Sequence, residues 1–208
     1  SAVYFNDYTD QQVRVQFPNP GNIVPRSGTV NAGEVTVWGA ELDASWLPTE
    51  RWLLNLSLAF NDGEYDDLVL AEVQTSGAPL SRSELVKAGN LEGDFSGNDT
   101  PGTPKLAGSL LGRYTAPFTA DLDWYLQSVV TYQDERYADT ANLVTLDSYW
   151  LTNAQLGLET ERWFVAFFGD NLCDDDTVRY AQEFIDQSQG FQGFSPAKGA
   201  PATFTFPV

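Results

Sequence analysis

Tryptophan stands at both ends of an alternating run, and no other feature of this chain restricts its fold so strongly. In "VWGAELDASW" (Val37–Trp46) one parity reads Trp38, Ala40, Leu42, Ala44, Trp46 and the other Val37, Gly39, Glu41, Asp43, Ser45. Past Pro48, Arg51–Asn61 alternates again, with Trp52, Leu54, Leu56, Leu58 and Phe60 set against Leu53, Asn55, Ser57 and Ala59. Successive side chains of an extended chain point to opposite faces, so period two means strands with one apolar and one polar face.

The same pattern recurs in Leu106–Tyr114, Asp121–Tyr132, Trp150–Leu158 and Ala202–Val208. Val3–Phe17 and Arg162–Asp170 read as strands without clear faces. The total is about eight strands. The best helical segment, Leu80–Ala88, is short and lies in a polar stretch, where it would form a loop helix.

Connection lengths alternate. Pro48–Glu50, Pro117–Thr119 and Thr160–Glu161 are tight turns, while Pro18–Ala32, Asp62–Thr103, Asp134–Leu146 and Leu172–Gly199 are long. Compact soluble domains rarely contain several long loops. Short turns at one end and long loops at the other describe an outer-membrane barrel, with periplasmic turns and extracellular loops. The expected fold class is therefore all-β, an antiparallel transmembrane β-barrel segment of about eight strands.

Membrane geometry also accounts for the aromatics. Trp38 and Trp46, Trp52 and Phe60, and Trp124 and Tyr132 are each eight positions apart on one parity. At ~3.3 Å per residue this is about 26 Å of strand. A tilt of ~40° reduces it to roughly 20 Å, near the ~25 Å apolar band of such barrels. Trp46, Trp52, Tyr114 and Trp124 would make a lower girdle near the turns, and Trp38, Phe60, Tyr132 and Trp150 an upper one. A soluble β-sandwich would place its aromatics mid-strand.

Composition narrows the function classes. The net charge is -18, with 11 basic and 29 acidic residues, so the basic stripe of a nucleic-acid binder is missing. Aromatic residues make up 13%, which is not a disorder signature. A mean hydropathy of -0.27 hides the alternation, because each strand averages one apolar with one polar face. One cysteine excludes an internal disulfide framework, and the absence of histidine excludes a Ser-His-Asp triad and histidine metal sites. No enzyme and no cofactor is expected. Asp174-Asp175-Asp176 lacks the alternating ligands, glycine and terminal glutamate of an EF-hand loop, and reads as a solvated loop.

The polar parity supplies candidates for a lumen: Glu41, Asp43, Asn55, Asp123, Gln127, Asn153 and Gln155, with Asp121, Lys105 and Arg113 beside them. The acidic, glycine-rich "AGNLEGDFSGNDTPGTP" reads as a long extracellular loop. Its acidity argues against direct contact with an anionic ferric siderophore and suits a cationic or neutral ligand, or divalent ions bridging to lipopolysaccharide.

"NAGEVTVWGAELDASWLPTERWLLNLSLAFNDGEYDD" (Asn31–Asp67), "GTPKLAGSLLGRYTAP", "LDSYWLTNAQLGLETERWFVAFFGDNLCDDD" with its Gly169–Asp174 element, and the closing "GAPATFTFPV" resemble, in that order, the C-terminal barrel of TonB-dependent outer-membrane receptors. Transporters of this kind close with about 22 strands. The resemblance therefore implies that residues 1–208 are part of a longer receptor, with the plug domain, the TonB-contacting box and the earlier strands outside this chain. It departs from the pattern by ending in Phe206-Pro207-Val208 rather than in an aromatic. The implied activity is TonB-dependent uptake of a scarce large ligand such as a ferric siderophore, haem, cobalamin or a glycan. The implied partners are outer-membrane lipid and lipopolysaccharide, the TonB complex acting through the plug, and the ligand.

Two rivals stay open at this level. A complete eight-stranded barrel with a structural or adhesive role would pair its first strand with its last. A soluble β-sandwich would cover its apolar faces.

Overall fold

A computed structural model describes residues 1–17, 26–31, 33–69, 94–186, 191–198 and 203–205. It is antiparallel β throughout, and the described residues contain no helix. The strands are β1 (Ala2–Tyr8), β2 (Gln12–Phe17), β3 (Arg26–Asn31), β4 (Glu34–Thr49), β5 (Trp52–Asp67), β6 (Leu106–Pro117) and β7 (Asp123–Gln133). They continue with β8 (Arg136–Tyr137), β9 (Thr145–Leu146), β10 (Tyr149–Glu159), β11 (Phe164–Asp170), β12 (Val178–Asp186), β13 (Phe191–Lys198) and β14 (Thr203–Thr205).

Eight strands form one sheet in the order β1-β4-β5-β6-β7-β10-β11-β14. The remaining six make three hairpins, β2–β3, β8–β9 and β12–β13, each inserted in a long connection at the same end of the sheet. The opposite end holds tight turns. Phe118 and Thr119 donate to the Leu122 carbonyl at 2.8 and 2.9 Å, and Thr160 donates to that of Trp163 at 2.9 Å. The alternation of loop lengths is thus a division of the molecule into a turn end and a loop end.

Several details differ from the sequence reading. Val3–Phe17 is not one strand: β1 belongs to the large sheet and β2 to a hairpin, with Asp10 at φ 56° between them. The run is strand-like on both sides of Asp10, so its residues do not reveal the break. β4 runs through Pro48 to Thr49, with a register irregularity between Trp46 and Thr49, so the turn lies at Glu50–Arg51. β5 continues past Asn61 to Asp67 because Val35 of β4 pairs with Tyr65, and both are buried. The loop helix expected at Leu80–Ala88 lies outside the described residues. So do Ala202, Phe206, Pro207 and Val208 of the closing run.

Register joins the apolar parities into one continuous face. Across the sheet, Leu42 meets Leu58, Leu56 meets Leu110, Leu110 meets Val130, and Leu156 meets both Leu126 and Phe167. This face is open: Leu110 is 47% and Leu156 51% exposed. Among the described residues the other sheets are only two-stranded hairpins, and the extensive backbone approaches between strands follow sheet neighbours, with a smaller one between β9 and β12. A sandwich would cover this face; no described strand does so here. Soluble monomers rarely expose an apolar face of this extent. The sheet also ends in two edges, β1 and β14, which do not pair. A closed eight-stranded barrel requires that pairing.

Candidate functional site

Aromatic rings bracket the open apolar face at both ends. Near the loops, Trp38 and Phe60 lie 4.9 Å apart between ring centroids, and Tyr132 and Trp150 lie 4.5 Å apart. Near the turns, Trp52 and Tyr114 lie at 5.0 Å, and Tyr114 and Trp124 at 5.5 Å. Trp46 stands on the same face, 64% exposed. Tilted pairs at this spacing add about 0.5–1.5 kcal/mol each beyond simple burial. An apolar groove of about 650 Å³ opens on this face near the turns, lined by Phe118, Trp124, Leu156, Leu158, Val165 and Phe167.

The opposite parity forms a polar wall. Glu41 and Asp43 are exposed on β4, and Asp43 Oδ1 accepts from Ser57 Oγ at 2.7 Å. Asn55 sits beside them, with a buried Oδ1 that meets no donor among the described residues. Asp123 lies opposite Glu159 at the turn end. Gln127 Oε1 accepts from Arg113 Nη1 at 3.5 Å, Gln155 Nε2 donates to the Tyr125 hydroxyl at 2.6 Å, and Asn153 Oδ1 accepts from the Asn171 amide at 2.8 Å. Two residues grouped with this wall in the sequence stand elsewhere. Lys105 precedes β6 and bridges Asp62 and Asp99, both at 3.3 Å. Asp121 is exposed in the turn between β6 and β7.

One ion pair of the wall is not visible in the sequence. Arg113 on β6 reaches across β7 to Glu159 on β10, with Nη2 2.7 and 2.6 Å from the two carboxylate oxygens. Its guanidinium lies 3.9 Å over the buried Tyr125 ring. Tyr125 in turn covers Gly157, where a Cβ would come within 2.5 Å of the ring. Tyr4 does the same on β1: its ring lies over Gly39 and its hydroxyl donates to Asn61 Oδ1. A glycine opposite an aromatic is the available signal, but it becomes readable only once register is known.

At the loop end, two connections are tied together. Asn98 Nδ2 donates to the Thr140 carbonyl at 2.8 Å, the Asp99 amide to Asn142 Oδ1 at 2.8 Å, and Asn142 Nδ2 to the Asp99 carbonyl at 2.9 Å. Lys105 braces the base of this unit. Burial works against its charge, but its bonds to Asp99 and Asp62 outweigh that and hold its ammonium above the usual range. Burial raises the Tyr65 phenol, against a smaller opposing effect of its hydrogen bond with Thr140. Asn171 is buried at φ 50° and caps the Asp174–Asp176 turn, its Nδ2 and Oδ1 each 3.0 Å from the Asp175 backbone. The Asp175 carboxylate is engaged by Thr177 and Arg179.

A sheet with one bare apolar face between aromatic rows, one polar wall, and long connections at one end is a piece of barrel wall. Comparison with known proteins agrees. The fold matches the ferric yersiniabactin uptake receptor FyuA of Yersinia pestis, with a TM-score of 0.68 at 17% identity over 97% of this chain and 25% of that one. It matches the siderophore receptor PiuA of Acinetobacter baumannii with a TM-score of 0.60 at 20% identity over 97% and 24%. The ferric-catecholate import receptor Fiu of E. coli K12 gives 0.59 at 18% over 97% and 23%. The chain thus spans about a quarter of the length of these structures. The family model for "TonB dependent receptor-like, beta-barrel" matches residues 1–172, and the chain belongs to that family of outer-membrane receptors.

Proposed function

We propose that this chain forms the C-terminal barrel wall of a receptor that takes up a scarce large ligand across the outer membrane with energy from the TonB complex. The observation that carries the reading is the open apolar face with aromatic rows at both ends, backed by a polar wall. A lipid-exposed strand satisfies its backbone only by pairing, so β1 and β14 would be completed by further strands of the receptor. Trp38, Phe60, Tyr132 and Trp150 would form the girdle at the outer headgroups, and Trp46, Trp52, Tyr114 and Trp124 the one at the inner headgroups. The apolar face and its groove would contact lipid chains, and the loop end would contact lipopolysaccharide.

The wall residues Glu41, Asp43, Asn55, Asp123, Gln127, Asn153 and Gln155 would face the plug domain and the passing ligand. The plug would carry the contact with TonB. FyuA is a ferric yersiniabactin uptake receptor, PiuA a siderophore receptor and Fiu a ferric-catecholate import receptor, which makes a ferric chelate the first ligand class to try.

The test is radioiron uptake from siderophore-bound iron by cells carrying the intact receptor. Uptake should stop in a strain lacking the receptor and in one lacking TonB. Uptake that continues unchanged in both strains overturns the proposal.

A further inference from the structure

The β8–β9 hairpin at the loop end is bonded to two other long connections, the one between β5 and β6 and the one between β11 and β14. Toward the first, Asn98 Nδ2 donates to the Thr140 carbonyl at 2.8 Å and the Gly102 amide to the Tyr137 carbonyl at 2.8 Å. The Asp99 amide and carbonyl meet Asn142 Oδ1 and Nδ2 at 2.8 and 2.9 Å. Toward the second, Arg136 Nη2 donates to the carbonyl oxygen of Arg179 on β12, and β9 runs close to β12. The Arg179 guanidinium lies 4.8 Å over the ring of Tyr149 at the start of β10.

Each member is also held locally. The Phe95, Gly97 and Thr100 amides donate to the carbonyls of Leu68, Tyr65 and Gly63 at 2.8, 2.7 and 2.9 Å, so this segment runs along the loop end of β5. Asp139 closes the hairpin, its carboxylate accepting from the Leu143 and Val144 amides at 3.2 and 2.8 Å. The connection after β11 is fixed at its root by the Asn171 amide, which donates to Asn153 Oδ1 at 2.8 Å. Segments joined by shared backbone bonds open as contiguous cooperative units, because releasing one strips its neighbour of partners.

From this series of contacts we infer that the β8–β9 hairpin is a strap that makes the three connections one cooperative body. They open together, and they do not part from one another when ligand is admitted. The role in ligand entry rests on the uptake reading; the coupling itself does not. Loops that order one by one around a ligand lose conformational freedom at that moment and weaken binding. A strapped rim completes this ordering when the chain folds.

The test is hydrogen exchange of the intact receptor in detergent micelles, read by mass spectrometry over residues 94–102, 136–146 and 175–181. R136Q cuts the tie to β12 and leaves the bonds to Asn98, Asp99 and Gly102 in place. It should nonetheless speed exchange in all three segments by about threefold or more, with β7 unchanged. Faster exchange that stops short of 94–102, or no change anywhere, overturns the inference. Folding is checked by heat-resistant migration. If R136Q does not fold, N142A is read from the other side: 175–181 should speed up together with 94–102, and an unchanged 175–181 overturns the inference. Ligand entry is tested in cells whose receptor carries N98C and T140C in a C173S background, the two thiols joined by a short bismaleimide. Uptake of siderophore-bound radioiron should equal that of the same variant capped with N-ethylmaleimide. Uptake lost only with the linker, or thiols that the linker cannot join, overturns the strap. No uptake by the unmodified receptor removes the uptake reading alone, and the exchange result still decides the coupling.

Discussion

Arg113 and Glu159 face each other across an intervening strand, with Nη2 2.6 Å from Oε2 and the Tyr125 ring beneath the guanidinium. This three-strand strap fixes β6, β7 and β10 at the turn end of the polar wall. One guanidinium nitrogen meets both carboxylate oxygens, a charge-assisted contact, while side-chain exposures of 27% and 34% screen it. E159Q should destabilise the intact barrel by about 1 kcal/mol, and a double-mutant cycle with R113Q should return a coupling of about 1 kcal/mol. Urea unfolding in lipid vesicles measures both. A coupling indistinguishable from zero would reduce the pair to a surface contact.

The glycines separate into two classes. A Cβ at Gly157 would meet the Tyr125 ring at 2.5 Å, and one at Gly39 would meet both the Phe60 carbonyl oxygen and Tyr4 at 2.5 Å. At Gly112 the nearest atom would be Leu54 Cδ2 at 3.5 Å, an ordinary contact. G157A and G39A should each cost about 1–3 kcal/mol by the same assay, as overpacking does. G112A should be neutral or slightly stabilising. Equal effects at all three would contradict the tyrosine–glycine packing.

Leu110 and Ser109 are sequence neighbours on opposite faces of β6. If the apolar face meets lipid, L110R should cost about 2–4 kcal/mol in vesicles of ordinary thickness. S109R, which points to the polar wall, should cost much less. Reversed costs would show that the faces are assigned the wrong way round.

Asn142 links two loops through paired bonds with the Asp99 backbone, at 2.8 and 2.9 Å. Removing them in N142A should release the Asp99 amide to exchange about tenfold faster, which corresponds to about 1.4 kcal/mol of local opening. The Tyr125 amide, deep in the sheet, should keep its protection. Hydrogen exchange read residue by residue decides this.

Lys105 gives the loop base a pH dependence. Its ammonium is held above the ordinary value of 10.5, so the bridge contributes fully below that pH and is lost as pH rises through the raised value. From neutral pH upward, the carboxylate resonances of Asp62 and Asp99 should therefore move together only above pH 10.5, and over that range they should stay still in K105M. A shift near neutral pH would place the bridge elsewhere.

Much of the architecture is legible in the residues themselves. The parity of Trp38 to Trp46 and Trp52 to Phe60, and the apolar face they bracket, follow from period two, which the pleat of an extended chain imposes locally. Legibility stops where pairing takes over. Val3–Phe17 reads as one strand-like run without clear faces, yet it divides between a sheet strand and a loop hairpin, with Asp10 at φ 56° between them. The polar extension of β5 to Asp67 exists because β4 continues beside it.

The candidate sites divide in the same way. Glu41, Asp43 and Gln155 can be placed on one face from parity alone. That Arg113 meets Glu159, or that Arg136 lies against Arg179, cannot, because partners 46 and 43 positions apart are brought together by strand order and register. Which side chains share a face, and which connections are long, are local properties of an alternating chain and are written in its order of residues. Which charges meet is not, because register is set by contacts between segments far apart along the chain, and only the folded sheet brings those segments side by side.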